Sequence, residues 1–484
     1  FPTRRSSDLG FYFVFITLIG YLAGRRVKTI EDYVIAGRSL PFWLAVPTIV
    51  ATWFGAGSSM GVSGTVYSEG FYGVLADPFG CTLALLITGI FFAAPFRRLR
   101  LLTISDLLGQ RYGSVFERIS TLLMLPFYIG TLASQMLAMG YIFHIVSGIS
   151  PELGTLVGSL IVVIYTAAGG MWAVSLTDCL QLILLSAGLI VIVPICFDNL
   201  SNYQEVFHTM SVEFTNLLPK NSGDLNWTSF AGRLLMTGLG AIMGQDLLQR
   251  SLACKTENIA RWSSISSAVI YFALGLIPLF IGIAGRYILP DLDQPELLIP
   301  LIAQKFLSPL TFALFACGLL SAIMSTADSY LLAGTSLLAN NIILKTWPLK
   351  DEAKKIGLLR LINVILAIMA LFLALSGQSI FNMMVHSGAT LFVAIFIPAT
   401  FGLFWDKASS TAAWCSLIGG MAAWIGYIFW NLSSASIALD DVLFSAAVYG
   451  GGVSLAGFIM GTALDYGLNL LKIRKRRVLD LVKL

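Results

Sequence analysis

The chain has 484 residues, of which 57% are hydrophobic and only 12% are charged, and its formal net charge is +4. A soluble domain carries about 25% charged residues, so this composition excludes a water-soluble protein. Apolar runs of about 20 residues recur along the chain, each long enough to cross a membrane as a helix. The runs are continuous rather than alternating, which excludes a membrane β-barrel. We therefore predict an all-α polytopic membrane protein.

The apolar runs predict about thirteen transmembrane spans. In chain order they lie at residues 10–24, 41–64, 74–96, 119–147, 152–168, 174–197, 229–250, 264–288, 309–344, 356–376, 379–404, 411–431 and 442–467.

These spans suggest six segments. We interpret residues 1–9 as a non-native or disordered stub, 10–40 as an extra helix with a cytoplasmic loop, 41–200 as a first inverted repeat, 201–228 as an external loop, 229–408 as a second inverted repeat, and 409–484 as C-terminal helices with a basic cytoplasmic tail.

The basic residues predict the orientation of the chain. Most of the 30 lysines and arginines fall in loops on one side of the predicted membrane. Such asymmetry marks the cytoplasmic side. We expect a multi-pass protein of the plasma membrane with its N-terminus outside and its C-terminus in the cytoplasm. The basic loops are residues 25–40, 97–118, 250–261 and 345–360, Lys407, and the tail from Lys472.

Residues 51–64, ATWFGAGSSMGVSG, are rich in glycine and serine within the second span. Each glycine lowers helix propensity by about 1 kcal/mol relative to alanine. Irregular backbone at membrane depth persists only where protein or a cavity satisfies its polar groups, and secondary transporters use such breaks to bind ions and solutes. Residues 233–250, RLLMTGLGAIMGQDLLQR, place a second break five spans later. The pair predicts a five-plus-five inverted-repeat core with two discontinuous helices; the alternative is that the glycines only permit close helix packing.

Two adjacent hydroxyl residues, Ser325 and Thr326, lie in the ninth span. They share a helix face with Ala322 through i+3 and i+4 spacing. In membrane helices such hydroxyls often bond the carbonyl four residues back, which is the structural alternative. If they face an unwound helix, they offer two oxygens to Na⁺, and freed carbonyls supply the others. Na⁺ is therefore the predicted cofactor, as a coupling ion.

Four segments in the expected order resemble signatures of the solute:sodium symporter family. They are EDYVIAGRSLPFWLA (31–45), YTAAGGMWAVSLTDCLQ (165–181), GQDLLQRSLACK (244–255) and SAIMSTADS (321–329). The resemblance covers nearly the whole chain. It implies the five-plus-five inverted-repeat fold of sodium-coupled amino-acid transporters.

The resemblance also implies a sodium site. Its ligands would be the carbonyls of Ala51, Phe54 and Ala322 together with the hydroxyls of Ser325 and Thr326. Asp178 matches a family carboxylate placed below that site, where it would guide ion release or serve a second ion.

The second span is similar to the choline-transporter branch of the family, whose tryptophan at the position of Trp53 helps to cage a quaternary ammonium. The branch's other caging tryptophans are replaced here by Thr131 and Gly244, which weakens a choline assignment because cation–π binding uses several aromatic faces. Amino acids, carboxylates, vitamins and amines all stay open as solutes. The predicted solute-binding residues are Trp53, Gly55, Ser58, Gly240, Gln245 and Asp246.

Several aspartates lie within predicted spans, where an ionisable residue is costly and marks a functional site. Asp246 could meet a cationic solute or a coupling ion, or pair with Arg250 four residues later. Asp178 could instead be a plain interfacial residue, and Asp328 could support the sodium site. We interpret Asp77, next to a proline, as a cap of the third span.

These observations predict a sodium-coupled symporter of a small organic solute that works by alternating access. Its expected partners are the solute and the lipid bilayer, with no nucleic acid and no obligate protein partner. The chain has no P-loop, HExxH or GxSxG context, so we do not expect an enzyme. The alternatives are a transporter-like membrane sensor and a proton-coupled symporter.

Overall fold

The structure is a computed structural model that describes residues 18, 19, 22, 24, 25, 27–200, 217–218, 224–376, 379–432 and 438–467. The predicted stub, nearly all of the first predicted span, most of the external loop and the basic tail lie outside these residues.

The described chain is built from α-helices joined by short irregular segments. In chain order they are α1 (Ile30–Ile35), α2 (Phe42–Trp53), α3 (Val62–Glu69), α4 (Cys81–Ile87), α5 (Ala93–Leu99), α6 (Ile104–Tyr112), α7 (Ser114–Ser147), α8 (Pro151–Asn199), α9 (Asp224–Leu235), α10 (Gln245–Ala253), α11 (Glu257–Ile288), α12 (Leu298–Phe306), α13 (Pro309–Leu337), α14 (Leu344–Thr346), α15 (Glu352–Ala374), α16 (Ile380–Ser387), α17 (Ile397–Phe404), α18 (Ser410–Leu432) and α19 (Leu439–Gly467).

Several of these helices are extended or joined by tighter or wider helical turns. Turns of 3₁₀ type lie at Ala36–Arg38, Phe71–Val74, Ala241–Met243 and Pro295–Leu297. Wider π turns lie at Gly57–Gly61, Leu75–Gly80, Thr88–Phe92, Met236–Gly240, Leu338–Ile343 and Leu391–Phe396.

The helices follow the predicted spans closely. Nine helical stretches of the described chain are long and apolar enough to cross a membrane, and two shorter apolar helices cover Phe42–Trp53 and Pro151–Ile164. The first lies in the second predicted span, which is interrupted, and the other lies in the fifth predicted span, just before the kink at Gly170. The fold class is therefore confirmed as an all-helical polytopic membrane protein, while the number thirteen stays a prediction.

Both predicted helix breaks are present. The second span is divided into α2 and α3, and Phe54 at the end of α2 has a non-helical backbone (φ −85°, ψ 68°). The seventh span is divided into α9 and α10, with extended backbone at Gly244 (φ −64°, ψ 128°). The core therefore contains two discontinuous helices whose ends expose backbone groups to the protein interior.

Helix α13 lies at the centre of the bundle, because every residue from 315 to 337 is buried. It packs chiefly against α8 and α7. Helix α15 lies at the periphery, where Phe372 is 75% exposed and other large apolar side chains also point outward. Exposed apolar side chains of this kind face lipid in a membrane protein.

One end of the bundle is tied together by loop contacts. The backbone of Leu40 pairs with that of Ala253 and Lys255, with N–O distances of 2.9 Å. Arg38 donates to the carbonyl oxygens of Arg100 and Leu101 at 2.8 and 3.1 Å. Three of the predicted basic loops thus meet at the same end.

Candidate functional site

The carbonyl of Ala51 is released from α2 at the first helix break. In a continuous helix it would accept from the N–H of Gly55, but that N–H bonds the carbonyl of Trp53 at 3.0 Å. The next N–H, of Ala56, donates to Oε1 of Gln135 at 2.9 Å. The break therefore leaves a buried carbonyl oxygen that can serve a ligand, and Gln135 is a stabilising partner that the sequence did not indicate.

The hydroxyls of Ser325 and Thr326 on α13 face this released carbonyl. Each hydroxyl oxygen lies 3.2 Å from the carbonyl oxygen of Ala51. The hydroxyls are thus directed at the broken helix, not at the carbonyls of their own helix. Ala322 lies one turn earlier on the same face and is buried. Three of the five predicted sodium ligands converge within hydrogen-bond distance.

Asp178 lies beside the same oxygens. Its Oδ1 is 2.5 Å from the hydroxyl of Ser325, and Thr48 of α2 donates to its other oxygen. The carboxylate is completely buried. Asp178 follows the kink in α8 at Gly170 (φ 55°), and its burial favours a role inside the bundle over that of a plain interfacial residue.

Close helix packing at this point requires glycine. A Cβ atom on Gly55 would collide with Oγ1 of Thr326 and would lie 2.6 Å from Oε1 of Gln135. The absence of a side chain therefore lets α13 approach the broken helix closely enough for its hydroxyls to reach the released carbonyl.

A cavity of about 40 Å³ lies next to both helix breaks. Its aromatic walls are Trp53, Phe127 and Tyr330, and its one carboxylate is Asp77. The other lining residues are Ala76, Cys81, Met236, Thr237, Ala241, Met384, Val385, Gly388 and Leu391. The cavity is therefore mostly apolar and aromatic, with a single acidic group on its wall.

Asp77 has the extended backbone of a helix N-cap ahead of Pro78, but its carboxylate bonds the hydroxyls of Ser58 and Tyr271. Helical turns begin six residues earlier, at Phe71, and the Asp77 backbone is extended (φ −144°, ψ 122°). Its Oδ2 lies 2.5 Å from the hydroxyl of Ser58, and the hydroxyl of Tyr271 donates to Oδ1 at 2.9 Å. Ser58, predicted to bind solute, thus reaches the cavity through Asp77.

Trp53 lies between the cavity and Asp246. Its indole N–H donates to Oδ2 of Asp246 at 2.6 Å. The other oxygen of Asp246 is buried and has no hydrogen-bond partner among the described residues. The Trp53 ring therefore separates Asp246 from the cavity, and Asp246 does not line the cavity.

Arg250 binds its neighbours mainly through uncharged groups. The guanidinium donates to the backbone carbonyl of Asp246 at 3.0 Å, and not to its carboxylate. It also donates to the hydroxyl of Ser329, which lies 3.2 Å from Oδ1 of Asp328. Arg250 is completely buried. Three buried aspartates, at 178, 246 and 328, lie in the same region. Among the described residues, Arg250 is the one arginine buried with them.

Two other predicted solute residues contact protein instead of the cavity. The side chain of Gln245 bonds the carbonyl of Leu102 and the N–H of Ile104, both at 2.9 Å. A Cβ on Gly240 would lie 2.9 Å from Cβ of Phe392, so this glycine permits close packing. The side chain of Gln245 thus joins the start of α10 to the segment between α5 and α6.

Glu296 makes a comparable set of contacts with α16. Its carboxylate accepts from the hydroxyl of Ser379 at 2.7 Å and from the backbone N–H groups of Ile380 and Phe381 at 3.1 and 3.0 Å. It thereby binds the first turn of α16, where a negative charge is favoured. A Cβ on Gly64 would lie 2.7 Å from the backbone N of Glu296, so this segment packs directly on α3.

A family model described as the sodium:solute symporter family matches residues 33–420. The chain belongs to that family. It is thus a sodium-coupled symporter of a small solute, as the sequence predicted. Within the described residues, no cluster of three or more histidine, cysteine or acidic side chains could hold a metal ion.

Individual symporters of known type resemble this one along most of its length. High-affinity choline transporter 1 of Drosophila melanogaster is 27% identical over 450 residues, covering 88% of this chain and 70% of that protein. Osmoregulated proline transporter OpuE of Bacillus subtilis is 26% identical over 446 residues and covers 89% of each chain. A solved Na⁺-coupled sialic acid symporter, described as substrate-bound and outward-open, superposes with a TM-score of 0.79 at 20% identity, covering 95% of this chain and 97% of that one.

Proposed function

We propose that Na⁺ binds at the first helix break, held by the carbonyl of Ala51 and the hydroxyls of Ser325 and Thr326. The observation that carries this proposal is the released Ala51 carbonyl with two hydroxyl oxygens 3.2 Å away. Carbonyl and hydroxyl oxygens are ligands that hard cations prefer. The carbonyls of Phe54 and Ala322 would complete the set.

Asp178 and Asp328 would serve a second ion or the release path. Asp178 supports this role because its carboxylate lies 2.5 Å from the Ser325 hydroxyl. Asp328 is connected through Ser329, whose hydroxyl bonds the carbonyl of Ser325 at 2.7 Å. An ion that leaves the first site would therefore meet acidic oxygens immediately.

The solute we propose is a small organic amine. Support comes from the aromatic walls of the cavity, where the ring of Trp53 receives electron density from Asp246 through the indole hydrogen bond. An aromatic face binds an organic cation through its quadrupole. The similarity to a choline transporter agrees with this class. Thr131 and Gly244 do not line the cavity, so aromatic character there depends on Phe127 and Tyr330.

Transport would follow alternating access between the two inverted repeats, 41–200 and 229–408, in a plasma-membrane protein with its N-terminus outside. Na⁺ bound between α2 and α13 would stabilise the outward-open state and so raise solute affinity there. Opening to the cytoplasmic side would then separate the hydroxyls from Ala51 and release the ion. The meeting of basic loops at one end supports this orientation.

Sodium-specific stabilisation tests the ion site. We expect the detergent-purified protein to melt at a higher temperature in NaCl than in KCl at equal ionic strength. At a hundredfold excess over Kd, a bound ion stabilises by about 2.7 kcal/mol. Ser325→Ala and Thr326→Ala should each abolish the difference. Ser186→Ala should keep it, because the Ser186 hydroxyl bonds only its own helix, at 2.7 Å from the carbonyl of Leu182.

Uptake into proteoliposomes under a sodium gradient tests the coupling. We expect amine uptake that requires an inward sodium gradient and that both hydroxyl variants lose. A wild-type protein that folds but shows no sodium-specific shift and no sodium-dependent uptake would refute sodium coupling at this site and favour a proton-coupled symporter or a sensor.

A further inference from the structure

The carboxylate of Asp77 is buried in the membrane domain without an ion-pair partner. The residue is 1% exposed, and no lysine, arginine or histidine of the described chain lies within 4.0 Å of its oxygens. Its hydrogen bonds come from two hydroxyls, those of Ser58 and Tyr271. A buried carboxylate that lacks an opposite charge is costly, so a cation bound beside it would be stabilised.

The surroundings indicate an organic cation. Asp77 shares the cavity with Trp53, Phe127 and Tyr330, whose rings attract a cation but do not coordinate a metal ion. The helix break adds only one backbone oxygen, the carbonyl of Trp53, which the Ser58 hydroxyl contacts at 2.8 Å. An ion such as Na⁺ prefers a sphere of five or six oxygens, whereas an ammonium group gains from one carboxylate and several aromatic faces.

We propose that Asp77 is the counter-ion of the solute's ammonium group, and that this group carries N–H donors. The inference rests on the proposed function and narrows its solute class to protonated primary, secondary or tertiary amines, as opposed to quaternary ammonium compounds. An N–H group donates to a carboxylate in a short, charge-assisted hydrogen bond, while a quaternary ammonium presents only methyl groups. A cavity of about 40 Å³ also favours a small head group. Ser58 and Tyr271 are positioning residues that fix the carboxylate.

A methylation series tests the inference, because it removes N–H donors while the charge stays constant. The probes are ethanolamine, N-methylethanolamine, N,N-dimethylethanolamine and choline, each measured in NaCl for binding to the purified full chain. We expect wild-type affinity to fall by at least about tenfold from ethanolamine to choline, since a hydrogen bond to a charged group has this effect.

Substitutions test whether the Asp77 carboxylate causes the preference for amines with N–H donors. Asp77→Asn should weaken ethanolamine binding by at least about tenfold and reduce the difference along the series. Ser58→Ala and Tyr271→Phe should weaken ethanolamine binding less than Asp77→Asn does, and should keep the order of affinities along the series. Asp198→Asn is the matched control, because Asp198 is exposed at the end of α8. Folding of each variant is checked by sodium-specific thermal stabilisation, which depends on the Ala51 site.

The possible results separate the two proposals. Choline binding as tight as ethanolamine binding, or an unchanged affinity order in Asp77→Asn, would overturn the role of Asp77 and leave sodium-coupled amine transport standing. The role of Asp77 would also be overturned if Asp77→Asn reduced sodium-specific stabilisation but left the amine affinities unchanged. Asp77 would then bind the coupling ion and not the amine. If no amine binds to the stable, sodium-responsive wild type, the amine class in the proposed function fails, and this inference fails with it.

Discussion

Replacing Arg250 with methionine is expected to destabilise the protein by about 3–5 kcal/mol, the usual cost of leaving a buried charge without its partner. The guanidinium is completely buried and donates to the carbonyl of Asp246 and the hydroxyl of Ser329. Its removal leaves the buried carboxylates of this region without the one arginine that lies near them in the described part of the chain. Denaturant or thermal unfolding in detergent would measure the loss.

A second substitution distinguishes charge from packing. Asp246→Asn in the Arg250→Met background should restore part of the stability, because one uncompensated carboxylate is removed, and the two changes should not be additive. Arg261→Met is the control, since Arg261 is exposed on α11. Equal stability of Arg250→Met and wild type would show that these aspartates do not need the guanidinium.

Gly55→Ala is expected to abolish sodium-specific stabilisation and to reduce sodium-dependent uptake by at least about tenfold, equivalent to about 1.4 kcal/mol. The new methyl group would overlap Oγ1 of Thr326 and crowd Oε1 of Gln135. Helix α13 would have to move away from the break, and its hydroxyls would lose contact with the Ala51 carbonyl. Melting temperatures in NaCl and KCl, together with proteoliposome uptake, measure both effects.

The matched control is Gly452→Ala on α19, where an added Cβ meets no atom within 4 Å. This variant should keep wild-type sodium stabilisation and uptake, and alanine should favour the helix. Retention of sodium stabilisation by Gly55→Ala would contradict the requirement for close approach at the break.

The positions of the helices and their two breaks could be predicted because both are local properties. A run of apolar residues is long enough to cross a membrane, and glycine-rich segments such as 51–64 weaken the helix within the same few residues. The pair Ser325 and Thr326 was also predictable, because i+3 and i+4 spacing places both residues on the helix face of Ala322. The structure then brings them to the break.

The solute cavity could not be predicted in the same way, because its walls come from distant parts of the chain. Asp77 and Tyr271 are 194 residues apart, and only the packing of α11 on the third span brings them together. A signal for Asp77 did exist, since an aspartate within a span indicates function. The adjacent proline favoured a helix cap instead. Gln245 shows the converse: it lies beside the second break, but its amide bonds backbone groups at 102 and 104.

We infer that the hydrogen bonds of Gln245 and Glu296 hold the two ends of the carrier closed, which has a consequence for ion leak. Glu296 accepts three hydrogen bonds at one end, and the side chain of Gln245 forms three at the other, with Leu102, Ile104 and Ser336. At about 1 kcal/mol for each bond, opening either end costs about 3 kcal/mol. An empty carrier would then be open on a given side in fewer than about 1% of molecules. Because both ends seldom open together, the membrane potential is preserved while the carrier waits for its ligands.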